Sequence, residues 1–172
     1  MRSLAHQALK IARGIQAEAP VTYVPPSEGT RPHSQNVLPR GLVTKTRGYI
    51  ERVVDQINGC YEKGWFDGCA VMMRRLLETL IIECFEAEEI SGKIKDQRTG
   101  EFLYLAELIS KLLQETTWNL GRNSKRALPN LKSVGDQSAH SRRYNAHRED
   151  VDKVIPDFRT VCQELLYISK LK

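Results

Sequence analysis

From Cys69 to Phe85 the chain repeats apolar residues every three or four positions: Cys69, Met72, Met73, Leu76, Leu77, Leu80, Ile81, Cys84 and Phe85. A helix brings residues at that spacing to one face, and a stripe this long has to be covered by other elements. It predicts a central core helix ending near Glu88 and restricts the fold to one that packs further helices around it. Asp67 reads as the cap of this helix, with Phe66 packing on Val71 as a hydrophobic staple.

The rest of the chain offers such helices. Ile50, Val53, Val54, Ile57 and Tyr61 share one face from near Thr46 to about Lys63, where Gly64 is the stop. Phe102, Leu105, Ala106, Ile109, Leu112 and Leu113 mark another amphipathic helix. After Trp118 a polar, basic connector leads to Leu128 and Pro129. Proline is accepted in a first helical turn, so a short helix is expected from about Pro129 to Ser141, with Leu131, Val134 and Ser138 inward. The block from Glu149 to Leu171 is helical again, bent or divided at Pro156. Strand-like alternation, glycine-rich phosphate loops and internal repeats are not found. The expected fold is all-α, an antiparallel helix bundle over residues 45–172.

Upstream, Leu4, Ala8, Ile11, Ala12 and Ile15 make one face of a helix too short to hold alone in water. A Pro-rich linker is expected over residues 20–44, with Pro20, Pro25, Pro26, Gly29, Pro32 and Pro39 among polar residues. Residues 1–19 are therefore read as an N-terminal helical arm that docks on the body or is exchanged between subunits. This arm carries charges throughout and does not resemble a secretory signal. No apolar run approaches the roughly 18 residues a membrane span requires. The expectation is a cytoplasmic protein without membrane contact.

Cys60, Cys69, Cys84 and Cys162 form no CxxC pair and have no histidines at zinc-ligand spacing. They are expected to be reduced and packed in helices, and neither a metal nor another cofactor is expected.

The net charge of +5 is unevenly placed. From residue 122 to 148 seven basic residues (Arg122, Lys125, Arg126, Lys132, Arg142, Arg143 and Arg148) stand against one acid, Asp136. From residue 78 to 115 nine acids face four bases. A basic strip of this kind is a candidate nucleic-acid surface, and equally a solvated face or the complement of an acidic protein.

On the central helix, Arg74 and Glu78 stand four apart, the spacing of an exposed ion pair worth a few tenths of a kcal/mol, roughly. Glu83 falls on the apolar side; it is either a carboxylate reaching solvent at the last turn or an acid aimed into a site. Further on, Gly135 sits inside a helix at a cost of about 1 kcal/mol against alanine, which implies close packing or room for a ligand. Asp136 and His140 share a face and could hydrogen-bond. His147 is the remaining histidine nearby, one ligand short of a metal site.

Two stretches, Ala70-Val-Met-Met-Arg-Arg-Leu-Leu-Glu78 and Leu131-Lys-Ser-Val-Gly-Asp-Gln-Ser-Ala-His140, resemble a bacterial helical family of unknown function often attached to restriction-enzyme subunits. That family belongs to the HEPN-like superfamily. Its pattern is an arginine and a Leu-Glu on the early core helix, then Gly-Asn-x-x-x-His. Here these fall on Arg74 or Arg75, on Leu77 and Glu78, and on Gly135 and His140, with Asp136 in place of the asparagine. The likeness spans about Tyr49 to Leu171. It implies a HEPN-like bundle that self-associates, as a dimer, and works in bacterial defence. Ribonucleases of the superfamily resemble one another in an Arg-x(4–6)-His motif completed across a dimer, the arginine stabilising phosphate and the histidine acting as general acid or base. Gly135 occupies the aligned arginine position before His140, whereas Arg142-Arg-Tyr-Asn-Ala-His147 has the Arg-x4-His spacing, with Arg143 where a small polar residue is usual.

The expected function is a non-catalytic interaction and oligomerisation domain that binds a protein or nucleic-acid partner. The alternative is a metal-independent ribonuclease built on Arg142 and His147, or His140, at a dimer interface. Whether the chain is an enzyme stays open at this point.

Overall fold

Leu76, Leu77, Leu80, Ile81 and Phe85 are fully buried along a 22-residue helix, α2 (Phe66–Ala87), that contacts every other helix of the structure. The computed structural model describes residues 35–172. The arm expected over residues 1–19 and the linker up to residue 34 lie outside the described residues. Around α2 stand α1 (Gly48–Glu62), α3 (Leu105–Gln114), α4 (Arg122–His140), α5 (Arg148–Asp152) and α6 (Ile155–Ile168). Together they form an all-α helical bundle. Among the described residues there is no strand, only an isolated bridge between Lys95 and Phe102, and no helix is long and apolar enough to cross a membrane.

α1 buries the face its pattern marks, Ile50, Val53, Val54, Ile57 and Tyr61. The chain turns back at Gly64, whose φ of 76° lies in the left-handed region that glycine enters without strain, and α1 packs on α2 as a helical hairpin. Each large side chain buried at this seam contributes roughly 1.5–3 kcal/mol of apolar transfer.

Four expectations are altered, and a fifth, left between two outcomes, is resolved. Residues 35–44, read as linker, are anchored: Val37, Leu38 and Val43 are buried, and a 3-10 turn runs over Arg40–Leu42. The buried Asn58 side chain holds this segment, accepting the amides of Val37 and Leu38 at 3.1 Å each and donating to Leu38 O at 2.9 Å. Asp67 does not cap α2. The helix begins two residues earlier, after Trp65, and the Asp67 carboxylate accepts the amide of Ala146 at 2.9 Å. α3 begins at Leu105; Phe102 precedes it in the bridge to Lys95, Ala106 is exposed, and Leu108 takes an inward position.

The short helix expected from Pro129 is the second half of a 19-residue helix starting at Arg122. Pro129 lies on its solvent side, where the carbonyl left without an amide partner can be hydrated. The connector conceals its helical character because Ser124, Ala127 and Leu128 are the buried positions in its first half, too few and too polar to read as a stripe. Finally, Pro156 divides the last block: α5 ends at Asp152 and α6 starts at Ile155 with the proline in its first turn.

Candidate functional site

The α2–α4 seam brings Arg74, Glu78, Gly135 and Asp136 together. Gly135 is buried against α2, where a Cβ would stand 2.5 Å from Arg74 Cβ and 3.1 Å from the Ala70 carbonyl oxygen. Of the two readings of this glycine, the geometry is that of close helix packing. Ala139, four residues on, is exposed and takes no part in it.

Arg74 then reaches along α4. Its Nε donates to Asp136 Oδ1 at 2.7 Å, and its Nη1 lies 3.7 Å from Glu78 Oε2, so the pair read from the sequence is the outer, longer part of a bridge between helices. Lys132 Nζ closes on the other Asp136 oxygen. Burial pushes the Asp136 carboxyl upward, but the hydrogen bonds and charges of Lys132 and Arg74 outweigh it and hold the group below its ordinary value. Asp136 is therefore turned to Arg74 and Lys132, and no hydrogen bond joins it to His140. Arg75 is exposed.

His140 ends α4 in solvent. The loop that follows is shaped by carboxylates from neighbouring elements. Asp67 holds the Ala146 amide, Asp150 accepts the His147 amide at 2.9 Å, and Ser141 Oγ accepts the Tyr144 amide at 3.2 Å. Burial raises the Tyr144 hydroxyl pKa, and the charge of Asp150 and a hydrogen bond to it act in the same direction. His147 is the exposed cap of α5. Arg142 and Arg143 are exposed and have no side-chain partner among the described residues. No hydrogen bond or ion pair connects Arg142, His140 and His147.

The basic strip divides by use. Lys132 is engaged by Asp136. The Arg148 guanidinium lies 4.9 Å from the Tyr61 ring centre and 5.4 Å from that of Phe66, and it donates to Tyr61 Oη at 3.0 Å. Arg122, Lys125, Arg126, Arg142 and Arg143 are exposed without acidic partners among the described residues. The first three sit on the solvent face at the start of α4 and the last two just beyond its end. At about 1.5 Å per residue, roughly 20 Å of helix separates Arg126 from the end of α4.

Neither candidate histidine lines either of two open clefts. One open cleft lies between Lys93, Lys95, Lys111 and Glu115, the other between the start of α4 and α6. Glu83 fits neither sequence reading: it is 4% exposed and engaged, accepting from Arg47 Nε at 2.8 Å and from the Tyr49 hydroxyl. Burial raises its pKa against the opposing pull of Arg47. Cys69, Cys84 and Cys162 are buried free thiols; burial pushes Cys69 up to about 12 and raises the other two as well, so none is a thiolate nucleophile near neutral pH. Among the described residues no three or more metal-ligating side chains gather in one place.

The Asn58 clamp, the Glu83 pair and the Asp67–Ala146 bond were not foreseen. Asn58 has a sequence signal, a polar residue four after Val54 on an apolar face. Glu83 has one too, a carboxylate on an apolar face, but its partners and the Asp67–Ala146 pairing join residues distant in sequence and have none. No family model, no curated protein and no solved structure matches the chain.

Proposed function

We propose that this chain is a non-catalytic, HEPN-like interaction domain that binds nucleic acid through the exposed arginines and lysine at the two ends of α4, and that it acts as a dimer. The observation that supports this reading is the division of the basic strip. Lys132 and Arg148 serve the fold, while Arg122, Lys125, Arg126, Arg142 and Arg143 are left facing water with no acid among the described residues to neutralise them. Unneutralised cations at the two ends of one helix suit the repeating phosphates of a polyanion. They need no precise geometry, which catalysis would. The resemblance supplies the setting, bacterial defence.

The alternative, a nuclease completed across a dimer, needs a second copy to bring Arg142, His140 and His147 together, since within one chain no hydrogen bond or ion pair joins them, and a general base must lie within reach of the group it serves. The test is binding of labelled single-stranded RNA by the wild type, by Arg142→Ala/Arg143→Ala and by His147→Ala. The arginine pair should weaken binding and reduce its salt dependence, and the histidine variant should bind as the wild type does. Equal binding by all three proteins would refute the reading, and capture of an acidic protein with no affinity for RNA would replace it.

A further inference from the structure

The amide end of α4 opens into a cleft of about 840 Å3 against α6. Gly121 caps the helix, and its carbonyl accepts the Lys125 amide at 3.0 Å. The amides of Arg122, Asn123 and Ser124 precede that first bond and have no acceptor among the described residues. A second observation points to a ligand. Ser124 lines the same cleft, is 1% exposed, and its hydroxyl has no hydrogen-bond partner among the described residues. A hydroxyl taken out of water and left unpaired is unfavourable unless something else meets it. The exposed Arg122 guanidinium, also on the cleft wall, has no acidic partner among the described residues.

Of the residues lining the cleft, Glu164 is the one acid. It accepts the Gly121 amide, and a Cβ on Gly121 would come within 3.0 Å of its carboxylate oxygen, which explains a residue without a side chain there. The Lys172 ammonium on the rim is engaged by the carbonyls of Gly41 and Thr44.

We propose that this cleft binds a phosphate monoester. Its terminal oxygens would accept the free amides of Arg122, Asn123 and Ser124 and the Ser124 hydroxyl, with its charge facing the Arg122 guanidinium and the positive end of α4. Several donors arranged around one helix end match the three terminal oxygens of a phosphate better than the two of a carboxylate. Glu164 repels the ligand and lowers its affinity. The phosphate belongs to a small phosphorylated molecule or to the end of a nucleic-acid strand; only the second source rests on the RNA-binding reading.

The experiment is titration of the full, 15N-labelled chain with inorganic phosphate and with phenyl phosphate at constant ionic strength. The amides of Arg122, Asn123 and Ser124 should shift and saturate. Arg122→Ala should weaken binding about ten-fold, the equivalent of one charge-assisted hydrogen bond. Glu164→Gln should tighten it several-fold while keeping an acceptor for the Gly121 amide, and Lys111→Ala, a charge change on another helix, should leave it unchanged. Shifts that fail to saturate, or that respond equally to Arg122→Ala and Lys111→Ala, would overturn the proposal. RNA carrying a 5′-phosphate that binds more tightly than its 5′-hydroxyl counterpart assigns the site to a strand end. Saturable phosphate binding without that preference assigns it to a small molecule. Phosphate binding with no affinity for RNA of either kind upholds the cleft and removes the polyanion reading.

Discussion

Arg74 lies across Gly135, with its Cβ 2.5 Å from where a side chain on that glycine would begin, and its Nε donates to Asp136 of the next residue position at 2.7 Å. One arginine thus fixes both the distance between α2 and α4 and their register. Arg74 on one side and Gly135 and Asp136 on the other, distant in sequence, hold two helices together.

Gly135→Ala should accordingly destabilise the protein. The methyl meets Arg74 Cβ and a backbone carbonyl, and moving them should cost about 1–3 kcal/mol, more than the roughly 1 kcal/mol that alanine gains in a helix. Urea denaturation measures the difference. Gly48→Ala, where nothing lies within 4 Å, is the control and should be neutral or stabilising.

Asp136→Asn should cost about 1 kcal/mol at neutral pH, below the usual range for a charge-assisted hydrogen bond because the Arg74–Asp136 side chains are 25% and 29% exposed and water screens them. The folded-state pKa of Asp136 is depressed below 3.8, so its contribution is present above that value and lost as pH falls through the folded-state value. The stability difference between wild type and variant should therefore close in acid.

Glu83 acts in the opposite sense. Its folded-state pKa is raised above 4.5, so the folded protein takes up its proton first and gains stability as pH falls through the raised value towards 4.5. Denaturation of wild type and Glu83→Gln across that interval should show the wild type losing ground as pH rises. A difference that does not change with pH would contradict the burial argument.

Asn58→Ala should cost about 2–4 kcal/mol, since two buried amides and a carbonyl lose their partner together. It should also raise amide exchange at Val37 and Leu38 before the rest of the protein. Uniform loss of protection would show that this segment unfolds only with the core.

How much of this was legible in the sequence depends on whether a signal is periodic or local. The stripe from Cys69 to Phe85 and the face of α1 repeat often enough to mark core helices, and Pro156 marks a boundary because of its own geometry. The close approach at Gly135 is legible too, although its partner Arg74 is not, because nothing in a single sequence pairs distant positions. The start of α4 was hidden by its polarity, and with it the cleft at Ser124. The apparent site from His140 to His147 shows the limit in the other direction. Arg and His at a catalytic spacing describe a loop, and whether they meet depends on Asp67 and Asp150, which shape that loop from elsewhere.

The most direct test of the central claim is incubation of the full chain with labelled single-stranded RNA in the presence of a metal chelator, at several salt concentrations. Intact RNA is expected throughout, with an affinity that falls with salt and a log–log slope no steeper than about −3.5 per protomer for five cations. Metal-free cleavage that disappears in His140→Ala or His147→Ala would contradict it.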